Sequence, residues 1–232
     1  MGLNKVDSDI NDKIKLAKSD HVSSSELAQL AKHQDLDVRK EVAGNFKTPP
    51  DVLIDLINDS WIVRSFLAEN PNSPVELLIK LADDEDEYVR SRLATNLKAP
   101  VDLLVKLSKD GQNVRMSVAE NIRTPVYLLI ELACDRSWQV RMCVAINPNT
   151  PSDTLTSLSE DGHWGVQYRV AENPNTPIEA IISIIERAKG SVGVSDNGLY
   201  EMARSRHLAY LESKNIGDYK EDLSKELFLS CK

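Results

Sequence analysis

The chain is poor in the residues that build reaction centres and covalent frameworks. Its three cysteines, Cys134, Cys143 and Cys231, are an odd number with no CxxC spacing. That argues against a disulfide framework and fits a reducing compartment. The four histidines, His21, His33, His163 and His207, are scattered. There is no HExxH, no two-Cys two-His spacing and no phosphate-cradling glycine loop, so the pattern offers no catalytic residue, no metal site and no cofactor. The acidic run Asp83 to Glu87 (DDEDE) lacks the ligand spacing of a calcium loop and reads as a solvated turn. Aromatics make up only 5%, so Leu, Val, Ile and Ala must fill the core. Positive charge is in deficit, with a net charge of −8; a protein built to grip phosphate backbone usually has the opposite balance. No apolar run approaches the roughly 20 residues that span a bilayer. The opening MGLNKVDSDINDK has no signal-peptide core and fits a myristoylation signal poorly. The expectation is a cytoplasmic protein away from membranes.

What the chain has is repetition. VRMCVAINPNTP, Val140 to Pro151, occurs six times with variations. Its Val-Arg pair recurs at Val38-Arg39, Val63-Arg64, Val89-Arg90, Val114-Arg115 and, with Gln, at Val166-Gln167. Seven residues after each Val stands an Asn (Asn45, Asn70, Asn96, Asn121, Asn147, Asn173), and four later a Pro (Pro49, Pro74, Pro100, Pro125, Pro151, Pro177). A period of 25 to 26 residues marks a solenoid. Each repeat contains two helical pieces. The first carries apolar residues at Pro+4 and Pro+7, such as Leu53 and Leu56 or Leu78 and Leu81, one face at helical spacing. Its start reads as Thr or Ser at the cap, Pro at the first helical position and an acid behind it, as in Thr48-Pro49-Pro50-Asp51. Ala99 interrupts that signal in one repeat. The second piece, from about Trp61 to Glu69 in its repeat, turns Val, Val+4 and Ala at +5 inward. It is short enough to be part 3-10, and the following Asn suits a left-handed C-terminal cap.

These motifs resemble the leucine-rich repeat variant (LRV) family over roughly residues 23–188. The resemblance implies a right-handed superhelix of alternating α and short 3-10-like helices, with HEAT-type echoes. An N-terminal iron–sulfur cysteine cluster known in the family is not implied, because no cysteine precedes Cys134. The expected fold is therefore an all-α solenoid of about six to seven two-helix repeats. Residues 1–22 form an N-terminal capping helix, 189–198 (KGSVGVSDNG) a linker, and 199–232 a C-terminal helical cap or tail.

Three rows of side chains invite a functional reading. Arg39, Arg64, Arg90, Arg115 and Arg141 form a ladder. It reads either as an anion groove or, preferably, as structure, each Arg bonding acids of the turn that precedes it, such as Asp59, Asp84, Asp110 or Asp135. Val+2 and Val+6 of the second helices are taken to face outward. Met116, Met142, Ile146 and Tyr168, edged by Glu120 and Glu172, make a contact patch, a surface covered by the C-terminal helices, or ordinary core. Trp61, Tyr88, Trp138 and Trp164, just before each Val, either stack on a ligand or, preferably, wedge between layers. The best overall reading is a non-catalytic scaffold that binds a protein or peptide on the face of its short helices. The alternative is a nucleic-acid-binding HEAT-like solenoid, a binder or a DNA-glycosylase-like enzyme.

Overall fold

The computed structural model describes residues 3–189 and 194–213. Among them every regular element is helical. A first helix, α1 (Leu3–Lys18), is followed by seven helix pairs. The leading members are α2 (Ser24–Leu30), α4 (Pro50–Asp55), α6 (Val75–Leu81), α8 (Val101–Leu107), α10 (Val126–Leu132), α12 (Ser152–Leu158) and α14 (Ile178–Lys189). The trailing members are α3 (Leu36–Gly44), α5 (Trp61–Glu69), α7 (Glu87–Thr95), α9 (Gln112–Glu120), α11 (Trp138–Ile146), α13 (Trp164–Glu172) and α15 (Val194–Ser213). The fold is an all-α solenoid of helical repeats. It divides into two compact units, Met1–Leu128 and Leu129–Lys232.

In the first unit α1, α3, α5, α7 and α9 stack in order; in the second α13 packs between α11 and α15, and α14 lies against α15. The core follows the sequence spacing. Leu53, Leu78, Leu104, Leu155 and Ile181 at Pro+4 are at most 1% exposed, and Val38, Val63, Val89, Val114, Val140 and Val166 are fully buried. Alanine at +5 (Ala43, Ala68, Ala94, Ala119, Ala145, Ala171) is also fully buried, because a larger side chain would push successive layers apart.

Four local expectations are corrected. The trailing helices are nine residues of regular α-helix in α3 to α13. They are longer than most leading ones, and the 3-10 turn, Leu56–Asn58, follows α4 instead. The Asn after each trailing helix is extended rather than left-handed, with φ from −74 to −61° and ψ from 121 to 125°. Its amide reaches the neighbouring layer: Asn96 Nδ2 donates to the carbonyls of Ala68 (2.7 Å) and Asn70 (3.1 Å), while its Oδ1 accepts from Lys98 N–H (2.8 Å). Asn45, Asn70, Asn121 and Asn173 repeat the arrangement. The Thr or Ser before Pro caps the helix behind it, not the one ahead. Thr48 Oγ1 donates to Val42 O, Thr150 to Val144 O and Thr176 to Val170 O, at 2.5 to 2.6 Å. Pro itself occupies the N-cap in α4, α6, α8 and α12, where no side chain caps the helix. Finally, α15 begins at Val194, inside the stretch expected as linker. The tail beyond 213 lies outside the described residues.

α1 and α15 take part in the same bonding scheme. Ala17 O of α1 accepts from Asn45 just as an Ala of a preceding repeat would. At the other end Arg206 of α15 donates to the carbonyls of Ala171 and Asn173, the two acceptors that the next Asn of the series would take. Arg206 thus satisfies the backbone groups that an Asn satisfies elsewhere, as a buried carbonyl requires.

Candidate protein-interaction surface

Position +1 of a trailing helix points at the turn that follows the next leading helix. Arg39 Nε and Nη2 meet Asp59 at 2.6 and 3.0 Å, and Arg64 meets Asp84, Arg90 meets Asp110 and Arg141 meets Asp161 in the same fork. Each Nη1 donates backward to a carbonyl of the preceding turn: Arg64 to Asp59 O, Arg115 to Asp110 O and Arg141 to Asp135 O, at 2.7 to 2.8 Å. Gln167 makes the backward bond, to Asp161 O. The expected pairing is therefore reversed in direction. The carboxylate of the preceding turn serves the previous Arg, and the Arg of the same repeat takes that turn's backbone oxygen. Each Asp also accepts a turn N–H, from Ser60, Asp86, Gly111 or His163. The Arg39 fork holds the Asp59 carboxyl below its ordinary range, and the Arg90 fork does the same for Asp110. Burial pushes the Asp161 carboxyl up, and Arg141 with the His163 N–H outweighs it. In the Asp-paired members the guanidinium donors are consumed inside the stack, which leaves them little to offer an incoming phosphate.

The aromatic row lies at the first turn of the trailing helices, and it is open. Trp61, Tyr88, Trp138 and Trp164 are 46, 46, 36 and 47% exposed. The expectation that they wedge between layers is corrected to a partial contact. At one or two residues before Val the helix has only just left its turn, so Trp61, Tyr88 and Trp138 touch a ring of the neighbouring layer with one side and leave the other in solvent. In the first unit Trp61 and Tyr88 meet edge to face, with centroids 5.9 Å apart. Arg92 lies 5.1 Å over the Tyr88 ring, donates to its hydroxyl from Nε and Nη2, and pairs through Nη1 with Glu69. In the second unit Trp138 stacks on His163 at 3.8 Å and 6° between planes, and Trp164 follows at 6.0 Å. His163 is held by accepting from Gly165 N–H through Nδ1. A Cβ at position 165 would sit 3.1 Å from that nitrogen, so glycine keeps the stack in place. Arg92 and His163 escaped the sequence reading. The spacing of Arg92 four residues after Tyr88 was the available signal.

The Met-rich stripe is less open than expected. In the first unit Met116 is half-buried and Glu120 exposed on α9. In the second, Met142 is half-buried and Ile146 is 44% exposed on α11; on α13 Tyr168 is half-buried, and exposed Glu172 bonds Arg169 at 2.6 Å. The Val+2 position lies at the margin of the layer contact. Ser65 there is 2% exposed, and Ser91 Oγ sits 2.8 Å from Ser117 Oγ. The first unit also has a groove of about 400 Å³ that the sequence did not reveal, lined by Lys18, Glu41, Gly44, Phe46, Phe66 and Glu69. The Phe66 ring crosses Gly44 so closely that a Cβ there would meet it at 2.8 Å.

The acidic run is a turn with Asp83, Glu85 and Glu87 exposed to solvent and Asp84 and Asp86 half-buried. Asp83 pairs with Lys106, Asp84 and Glu85 with Arg64, and Asp86 caps α7. Among the described residues no group of three His, Cys, Asp or Glu side chains is placed to hold a metal ion, and no helix is long and apolar enough to cross a membrane. Cys143 is buried and Cys134 exposed.

No family model and no curated protein matches the chain. Solved structures do. The chain is similar to a leucine-rich repeat variant with a novel repetitive structural motif, at 25% identity and a TM-score of 0.56, covering 79% of this chain and 71% of the other. An archaeal HEAT-like repeats protein from Thermococcus onnurineus NA1 aligns at 13% identity and a TM-score of 0.35, covering 85% of this chain and 93% of its own. An engineered protein aligns at 17% and 0.28, covering 87% and 88%.

Proposed function

We infer that this chain, similar in architecture to a leucine-rich repeat variant, is a non-catalytic scaffold that binds a protein or peptide on the face of its trailing helices. The observation that carries the reading is the contrast between its two rows. The arginines that would make an anion groove are largely spent on Asp and backbone oxygens, whereas Trp61 and Tyr88 in one unit and Trp138 and Trp164 in the other stand open to solvent. Rigid aromatics anchored on a regular backbone are the usual hot spots of protein recognition. Burying the exposed half of one such ring is worth about 2 kcal/mol. The net charge of −8 favours a partner that is apolar or basic over a polyphosphate backbone.

Affinity capture from native lysate at moderate salt tests this, with the intact chain beside a Trp61→Ala, Tyr88→Ala variant of equal thermal stability. The expected result is a specific protein held by the intact chain and lost from the variant. Recovery of nucleic acid alone, falling steeply as salt rises, would overturn the reading in favour of a nucleic-acid binder.

A further inference from the structure

The leading helices carry a second surface. At Pro+1 and Pro+5, one turn apart on the same side of a helix, stand Val75 and Ile79 on α6 and Val101 on α8. Ile54 on α4 and Val126 at the start of α10 extend the strip, and the five are 39 to 50% exposed. The repeat supplies its own control. The same two positions are Ser152 and Thr156 on α12 and Ser24 and Ala28 on α2, yet these helices bury their Leu residues equally well. The fold does not require apolar residues there, and contiguous exposed apolar strips of this kind mark contact sites.

The charges beside the strip indicate its occupant. Pro+2, nearer the helix N-terminus, is Glu76 on α6 and Asp102 on α8; Pro+6, nearer the C-terminus, is Lys80 and Lys106. All four are exposed, Lys106 while also holding Asp83 at 2.5 Å. Along the helix direction the exposed positions therefore read apolar, acid, apolar, base on α6 and apolar, acid, base on α8, with the acid row nearer the N-terminus than the base row. A two-fold axis normal to such a face reverses that direction. The strip then falls on itself, and the carboxylate row of each molecule meets the ammonium row of the other. Self-complementarity under a two-fold rotation is the condition for an isologous dimer. We propose that the outer face of α6 and α8, flanked by α4 and α10, is a homodimer interface whose partner is a second copy of this chain.

The test is sedimentation equilibrium of the full chain over a wide concentration range, with reductant present so that the exposed Cys134 thiol forms no covalent dimer. The proposal expects a reversible monomer–dimer equilibrium. Ile79→Asp should raise its dissociation constant at least about tenfold without moving the thermal midpoint measured at concentrations where the wild type is monomeric. Glu76→Lys with Asp102→Lys should be monomeric alone, as should Lys80→Glu with Lys106→Glu, and mixing the two charge variants should restore the dimer. A wild-type chain that stays monomeric at every concentration would overturn the proposal. So would a dimer that survives Ile79→Asp and both charge variants, since its interface would then lie elsewhere.

Discussion

At the scale of the residue, the asparagine amide does more than its spacing announces. Asn96 joins three backbone groups, two of them carbonyls of the layer before it. Removing the amide leaves two buried acceptors without this donor. Asn96→Ala should therefore cost about 2–4 kcal/mol, read as a drop in the urea midpoint. Asn96→Asp should cost at least as much, because a carboxylate cannot donate to Ala68 O. Ala99 makes the converse case. It is 1% exposed and occupies the place where Thr48, Thr124, Thr150 and Thr176 donate a hydroxyl to the helix behind. Ala99→Ser supplies the missing donor for Leu93 O, and the urea midpoint should rise by the equivalent of about 0.5–1.5 kcal/mol. That these positions matter was legible from their recurrence. What they bond was not, because each partner lies in another layer or in the helix behind, and a one-dimensional pattern of single repeats does not record which groups the stacking brings together.

At the scale of the element, the Arg–Asp fork ties each trailing helix to the next turn. Asp59 is 12% exposed at its side chain and Arg39 20%, so the pair is screened little by solvent. Asp59→Asn should destabilise the first unit by about 1–3 kcal/mol at neutral pH. The sign of its pH dependence follows from the depressed Asp59 carboxyl. A carboxylate whose folded pKa lies below its unfolded value contributes stability that is fully present above the unfolded pKa and is lost as pH falls through the folded one. The gap between wild type and Asp59→Asn, measured as denaturation midpoints at a series of pH values, should therefore hold from neutral pH to mildly acid and close only below the usual carboxylate range. A gap that widened on acidification would contradict the fork. The direction of the pairing was misread from sequence because an Asp four to six residues before each Arg is near in the chain, whereas the carboxylate that pairs with it lies 20 residues on and only the stacking brings it close. The start of α15 was missed for a different reason. Its first turns fall in a Gly- and Ser-bearing stretch whose local preference is weak, and packing against α13 and α14 overrides it. Arg206→Ala should loosen that cap, seen as faster amide exchange in α13, because Ala171 O and Asn173 O lose their donors.

At the scale of the whole molecule, the hydrophobic spacing was enough to place the core. Strictly periodic Leu, Val and Ala admit one helical arrangement per repeat, and stacked repeats bury it continuously. The face proposed to bind a partner was less legible. Periodicity says which positions point in, but not which outward positions the neighbouring layer covers. Ser65 and Met116 are drawn into that margin, whereas Trp61 and Tyr88 remain outside it. The leading helices show the same limit, since an apolar residue at Pro+5 looks like core until Ile79 is found half exposed. The two outward faces divide the work in this account: the trailing helices receive a partner, and the leading helices of the first unit receive a second copy.

The most direct test of the account is amide hydrogen–deuterium exchange of the full chain, alone and with the protein that it captures. The account predicts protection concentrated in the first turns of α5, α7, α11 and α13, around Trp61, Tyr88, Trp138 and Trp164. Protection confined to the leading helices, or none in those four turns, would contradict the claim that the trailing-helix face is where this scaffold binds.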